Sequence, residues 1–226
     1  LQRSGAQEPL EVDTSWLWVG HVDEVVSFVP DAAAPRGFRV LLPSATLGVH
    51  ALSQLDPRTE LPHYGDSELS DREYRTAGAL QQDDELLAYN RRLERERIRP
   101  LRLQLARDLG LQDAEISVVP VLFAETAEQG SFIRRASAIT PNLLNLVSFP
   151  DERGAVVLVP DPRLRAQGAD PATDPFVRAF LRALPRGVRV RLVDTWGAYH
   201  VHDGGVHCAT NVQRAAGPES FRVPQP

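Results

Sequence analysis

Cys208 is the only cysteine in the chain, and three of the six histidines, His200, His202 and His207, lie just before it. A thiol near imidazoles can act as a nucleophile with a base or as part of a metal site. The stretch reads Tyr199-His-Val-His-Asp-Gly-Gly-Val-His-Cys-Ala-Thr-Asn211. Asp203-Gly204-Gly205, set between β-branched residues, predicts a tight hairpin turn. On the strand that would follow, adjacent side chains face opposite ways, so His207 is expected to point away from Cys208. A histidine from elsewhere is then the better partner. His21 follows Gly20, where a close backbone approach is possible. Asp23 lies two residues on, and in an extended segment both side chains face the same way. That pair offers an imidazole and a carboxylate to one pocket.

The residues alone leave other readings open. His200, His202, His207 and Cys208 could form a zinc site, since His-x-His on a strand presents two ligands on one face. Against it, there is no Cys-x-x-Cys pair, and His207 and Cys208 would have to splay. A papain-like protease also uses Cys, His and Asn, but the Cys-Gly-Ser-Cys-Trp signature is absent and Cys208 comes late in the chain. Alternatively, Cys208 is a small buried hydrophobe and the histidines are ordinary core or surface residues.

Composition narrows the class. The 226 residues suffice for one large domain or two small ones, and 42% are hydrophobic, enough for a full core. A formal charge of −5 argues against binding to nucleic acid through counterion release. A single cysteine allows no internal disulfide, so nothing calls for an oxidising compartment. No apolar run is long enough to span a membrane, and no basic-then-apolar leader is visible; a cytoplasmic location is expected. The chain starts at Leu1 and contains no methionine, so it is expected to be the C-terminal piece of something longer.

The elements that must position these residues follow from periodicity. Residues 1–12 are polar and read as a linker. Val25 to Val29 and Gly37 to Leu42 read as strands. Residues 50–80 are polar and read as a surface excursion or lid. From Asp83 to Leu109, Leu86, Asn90, Leu93, Arg97, Leu101, Leu105 and Leu109 share one helical face. Pro100 should kink or split that helix, and Gly110 should stop it. Ile116 to Phe123 is a strand interrupted by Pro120. A polar loop follows, and Pro141 to Val147 begins a buried segment. Ala155 to Val159 is a strand. Asp174-Pro175 caps a helix through Leu184. Val188 to Leu192 alternates as a half-buried strand. The repeated order is strand, strand, helix, strand, a mixed α/β pattern.

Two motifs carry a resemblance. Val19-Gly-His-Val-Asp-Glu24, followed by Val-Val-Ser-Phe-Val-Pro30, resembles the histidine motif of the peptidylarginine deiminases. Gly205-Val-His-Cys-Ala-Thr-Asn-Val212 resembles their C-terminal nucleophile motif. Leu109-Gly-Leu, Pro141-Asn-Leu-Leu-Asn145 and Val193-Asp194 resemble further landmarks, in the same order.

The resemblance implies an α/β pentein fold, a five-bladed propeller of ββαβ modules. Residues 13–226 would be the C-terminal part of such a catalytic domain, with the N-terminal modules missing. It implies conversion of arginine in a protein or peptide to citrulline, with loss of ammonia. The implied catalytic residues are Cys208, His21 and Asp23, with Val19 beside the substrate stem. His202 and Asp203 match positions that hold the substrate backbone, where the animal enzymes have Arg-His. Gly205 stands where glutamate is usual, and Asn211 would shape the hairpin. Calcium dependence is implied, with ligands mostly upstream, as is a second catalytic carboxylate. A deiminase or amidinotransferase acting on free arginine, and a non-catalytic pentein-like module, are the alternatives.

Overall fold

The computed structural model describes residues 9–64, 74–127, 130 and 132–212. In chain order its elements begin with β1 (Ser27–Pro30), β2 (Phe38–Ser44), α1 (Ala45–Leu52), β3 (Glu60–Tyr64), β4 (Tyr74–Thr76) and α2 (Ala77–Gln81). Next come α3 (Asp84–Leu93), α4 (Arg99–Asp108), β5 (Ile116–Pro120), β6 (Phe123–Thr126) and β7 (Arg135–Ala138). The last are β8 (Val147–Asp151), β9 (Gly154–Pro160), α5 (Pro175–Ala183) and β10 (Arg189–Val193).

These form a mixed α/β structure of several small sheets. One three-stranded sheet has the order β1-β2-β5, with β1 antiparallel and β5 parallel to β2. The other has the order β8-β9-β10, with β8 antiparallel and β10 parallel to β9. In both, a hairpin is followed by helix and then by a strand parallel to the second hairpin strand. Such a crossover is what a parallel pair requires. This is the strand, strand, helix, strand order expected from the sequence. Two-stranded pairs β3-β4 and β6-β7 complete the sheets. Among the described residues no helix is long and apolar enough to cross a membrane.

One buried core joins the units. Val29, Leu41, Leu42, Phe123, Phe176 and Phe180 are all fully buried within it. Helix α5 packs against both β5 and α1, so the second unit leans on the first. Asp174 caps α5 by accepting the Phe176 amide at 2.8 Å. Burial holds its carboxyl up at about 7, against the pull of the amides it accepts.

Several expectations change here. Of the stretch 50–80 read as a surface excursion or lid, residues 65–73 lie outside the described residues, and the rest is not simply a surface excursion. It contains the end of α1, together with β3, β4 and α2, and Leu52, Leu61, Tyr74 and Leu80 enter the core. Helix α1 escaped periodicity because its buried face is small. A Cβ on Gly48 would lie 2.3 Å from the Val121 carbonyl oxygen, so glycine there permits the close approach. The stretch read as a polar loop after Phe123 holds the pair β6-β7. The long helix is interrupted by a π turn, Glu94–Ile98, just before Pro100. That extra residue shifts the face by one, so Ile98 is buried and Arg97 is exposed. Pro100 then falls in the first turn of α4, where a missing N–H is tolerated.

Asn90 is the polar member of the buried helical face. Its Nδ2 donates to the Leu86 and Phe123 carbonyls at 2.9 and 2.8 Å, and its Oδ1 accepts the Phe123 amide at 2.9 Å. One fully buried carboxamide thus welds α3 to β6. Asn90→Leu would leave the Phe123 amide and carbonyl without these partners. A loss of about 2–4 kcal/mol in unfolding free energy is expected by urea titration; a loss below about 0.5 kcal/mol would mean the weld contributes little.

Candidate active site

Three segments meet around Cys208. The first is the turn after Gly20. Gly20 has φ +81°, and its carbonyl accepts the Thr14 hydroxyl at 2.7 Å. His21 then opens a single 3₁₀ turn, Val22–Glu24, and its amide donates to Glu24 Oε1 at 2.8 Å. The segment is not extended, so the alternation argument that paired the His21 and Asp23 side chains does not apply. His21 is exposed, and its ring bonds to neither Asp23 nor Cys208 among the described residues.

The second segment is the loop 141–146. Asn142 Nδ2 donates to the Glu24 carbonyl at 2.8 Å, and the Ser27 hydroxyl donates to the Leu144 carbonyl. These bonds lock the loop to the first segment and leave Asn145 buried at 5% exposure beside the site.

The third is the cysteine stretch. Instead of a hairpin it forms a 3₁₀ turn, His200–His202. Asp203 follows in the left-handed region at φ 60°, which aspartate tolerates better than most residues. The Ala209 amide then donates to the Gly205 carbonyl at 3.2 Å, and the Thr210 amide to the His207 carbonyl at 3.1 Å, closing a second turn. No strand is made, so His207 does not turn away. Its Nδ1 lies 2.8 Å from Asp23 Oδ2. The Gly204-Gly205 doublet was a signal for a folded turn as much as for a hairpin. A Cβ on Gly205 would stand 2.4 Å from Asn145 Oδ1, so the turn fits against the loop only with glycine there.

Where these segments meet, Cys208 Sγ is 3.8 Å from Asp23 Oδ2. Asn145 Nδ2 is 2.7 Å from that oxygen and 3.2 Å from the sulfur. Cys208 is exposed, which removes the reading of it as a packing residue. The zinc reading also fails. His200 is packed on Trp196, with ring centroids 4.7 Å apart, while His207 turns to Asp23. Among the described residues no group of three or more His, Cys, Asp or Glu is arranged to hold a metal ion. They therefore fit neither zinc nor calcium, and no step below passes through a metal.

The remaining expected site residues lie around this centre. Val19 and His202 are exposed. Asp203 is half-buried and accepts the Ser137 hydroxyl at 2.6 Å. Burial pushes its carboxyl up, against that hydrogen bond. Asn211 is exposed, and no side-chain bond from it to a described residue shapes the turn.

A polar recess lies behind the site, lined by Glu24, Ser137, Asn142, Asn145, His200 and Asp203 among others. Burial holds the Glu24 carboxyl up at about 7, helped by the charges of Asp23 and Asp203 and opposed by the His21 amide. Burial pushes the His200 imidazole down to about 4. For Glu24, the unfolded chain ionises from about pH 4.5 but the folded protein keeps the proton to about 7. Its stabilising contribution is therefore full below the lower value and is lost as pH rises to the upper one. Glu24→Gln keeps an acceptor for the His21 amide and removes this slope. Relative to the parent, the variant should gain about 3 kcal/mol between about pH 4.5 and 7.5, read from urea unfolding at both. Parallel stability curves would show that burial leaves this carboxyl unperturbed.

Comparison with known proteins places the sequence in a family. A family profile described as protein-arginine deiminase (PAD) matches residues 1–219. The chain belongs to that family. Protein-arginine deiminase type-4 of Mus musculus is 31% identical over 217 residues, 95% of this chain and 31% of that protein. Type-1 of Mus musculus is 32% identical over 218 residues, 95% of this chain and 30% of that protein. Type-3 of Homo sapiens is 31% identical over 229 residues, 98% of this chain and 32% of that protein. The chain thus spans about a third of the length of these relatives.

Proposed function

We propose that this chain supplies the Cys208, His21 and Asp23 part of a site that converts peptidyl-arginine to peptidyl-citrulline. The whole site includes a second carboxylate from outside residues 13–226, and the two ββαβ units belong to a five-bladed pentein propeller. Location in the cytoplasm goes with this reading.

A guanidinium is planar, always charged and rich in donors, so it is held by carboxylates at its edges. All donors that the described residues direct at Asp23 go to Oδ2, which leaves Oδ1 for the substrate. Cys208, as thiolate, attacks the central guanidinium carbon and forms a C–S bond. The tetrahedral adduct expels ammonia as one C–N bond breaks, and His21 as imidazolium supplies the proton. Neutral His21 then takes a proton from water as the water oxygen bonds to the thiouronium carbon. The C–S bond breaks, the thiolate returns, the remaining hydroxyl proton passes to solvent, and the carbon is left as the urea of citrulline. Net, the arginine cation and water give citrulline and ammonium. Val19 flanks the alkyl stem. His202 and Asp203 lie at the rim, where the family's arginine would grip peptide carbonyls in two places; a histidine there holds the peptide less firmly.

The single observation supporting this reading is the 3.8 Å contact between Cys208 Sγ and Asp23 Oδ2, 185 positions apart in sequence. Nucleophile and guanidinium-binding carboxylate must reach one reacting carbon, and this contact brings them within reach of it. The test is citrulline formation by the full protein from an arginine peptide and from free arginine. Citrulline from the peptide is expected. Citrulline from free arginine alone would change the substrate to a small guanidine. No turnover, and no alkylation of Cys208 by a haloacetamidine, would leave a non-catalytic binding module.

A further inference from the structure

Asn145 is a buried carboxamide inside an apolar run, with Leu143, Leu144 and Leu146 around it all buried. A polar side chain in such a place is expected to satisfy every polar atom it has. Asn145 does so entirely on the candidate site. Its Oδ1 accepts the His207 amide at 2.9 Å and the Cys208 amide at 3.4 Å. Backbone amides only donate, so the atom facing them must be the oxygen and the flip is fixed. Nδ2 therefore faces the chemistry. Its two hydrogens are directed to Asp23 Oδ2 at 2.7 Å and Cys208 Sγ at 3.2 Å.

We infer that Asn145 is a positioning residue that holds the Cys208 sulfur and the Asp23 carboxylate in one geometry by donating one N–H to each. The inference rests on the deiminase reading for its catalytic meaning. Its physical basis is independent of that reading. A thiolate and a carboxylate 3.8 Å apart repel one another. With no charge of its own, the amide places a donor against each and so lets both anions stay close. Its oxygen meanwhile pins the backbone that carries the nucleophile. A lysine or arginine in this place would also neutralise the pair, but its charge would compete with the guanidinium for Asp23.

Asn145→Asp is the discriminating variant. It keeps the shape and an acceptor for the His207 and Cys208 amides, but replaces the donor with a third anionic oxygen. The readout is the rate of Cys208 alkylation by iodoacetamide across pH, followed by mass spectrometry on the full protein. This neutral reagent needs neither turnover nor guanidinium recognition. The expected result is a rate at neutral pH lowered about tenfold or more and a pH–rate profile moved to higher pH. On an arginine peptide, kcat should fall about a hundredfold with KM changed by less than about threefold.

Gly205→Ala is the second variant, because its Cβ would displace Asn145 Oδ1 without altering any donor or acceptor. It should slow alkylation in the same direction. It also keeps the test decisive if Asn145→Asp does not fold. Alkylation rates and profiles matching the parent in a folded variant would overturn the inference and leave Asn145 as a structural strut. Slowed alkylation in a protein that makes no citrulline would uphold the positioning role while the deiminase reading failed. Citrulline formation with unaltered alkylation would do the reverse.

Discussion

Cys208→Ala should abolish citrulline formation and leave the fold intact. Cys208 is exposed, and its sulfur is bonded only to Asn145 and Asp23 among the described residues. Truncating it removes no core packing, so unfolding free energy should change by less than about 1 kcal/mol. The chemistry has no substitute. Without the sulfur, water must attack a resonance-stabilised guanidinium directly, with no covalent intermediate to divide the reaction. A fall of about 10⁴-fold or more in kcat/KM is expected for loss of a nucleophile. Citrulline assays on an arginine peptide, run beside thermal unfolding, read both quantities. Residual turnover within about tenfold of the parent would remove Cys208 from the nucleophile role. A large loss of stability would instead mean that the turn around it had collapsed.

The parts of this site that were legible in the sequence were those where residue type decides the chemistry. Cys208 stood out as the one thiol of the chain and Asp23 as a carboxylate two residues from a histidine, while the guanidinium chemistry was implied by the family resemblance. The parts that were not legible depend on backbone geometry. His207 was expected to point away because a strand was expected. The actual path, two tight turns separated by a left-handed Asp203, brings its imidazole to the carboxylate. Glycine doublets permit several conformations, and which one is chosen is set by the fit of Gly205 against Asn145. Asn145 itself was visible only as a landmark. A polar residue between leucines signals a buried hydrogen-bond network but not its partners, which here come from 62 and 122 positions away.

The fold divides similarly. Strands β1, β2, β5, β9 and β10 and helices α3 and α5 follow from runs of apolar residues and their caps. Helix α1 did not, because a helix with glycine and alanine on its buried face lacks a clear apolar stripe. The π turn at Glu94–Ile98 was hidden for a different reason. Arg97 and Ile98 both satisfy helical spacing roughly, and only packing decides which goes inside. Glu94 gives the turn a use. Its Oε2 accepts the Ala45 and Thr46 amides at 2.8 and 3.2 Å, placing a negative charge at the start of α1, while Arg102 pairs with its other oxygen at 3.0 Å.

Asp23→Asn separates recognition of the guanidinium from the presence of a reactive thiol. The substituted amide can still present its oxygen to Asn145 Nδ2 and His207 Nδ1, which lie 2.7 and 2.8 Å from Asp23 Oδ2. Its nitrogen then takes the place of Oδ1 and faces the substrate with donors, where the guanidinium also has only donors. An attractive charged contact becomes a repulsive neutral one. Removing one partner of a close charged pair costs about 2–5 kcal/mol, so kcat/KM for an arginine peptide should fall about 10²–10³-fold. Alkylation provides the control. Iodoacetamide is neutral, and with the carboxylate charge beside the sulfur removed it should modify Cys208 in the variant at least as fast as in the parent. A haloacetamidine carries the planar cation of the substrate, and in the parent it should react faster than iodoacetamide because Asp23 draws it in. In Asp23→Asn that advantage should disappear. If both reagents slow equally, Asp23 acts on the thiol and not on the guanidinium. If neither slows and turnover persists, the substrate is held by carboxylates other than Asp23.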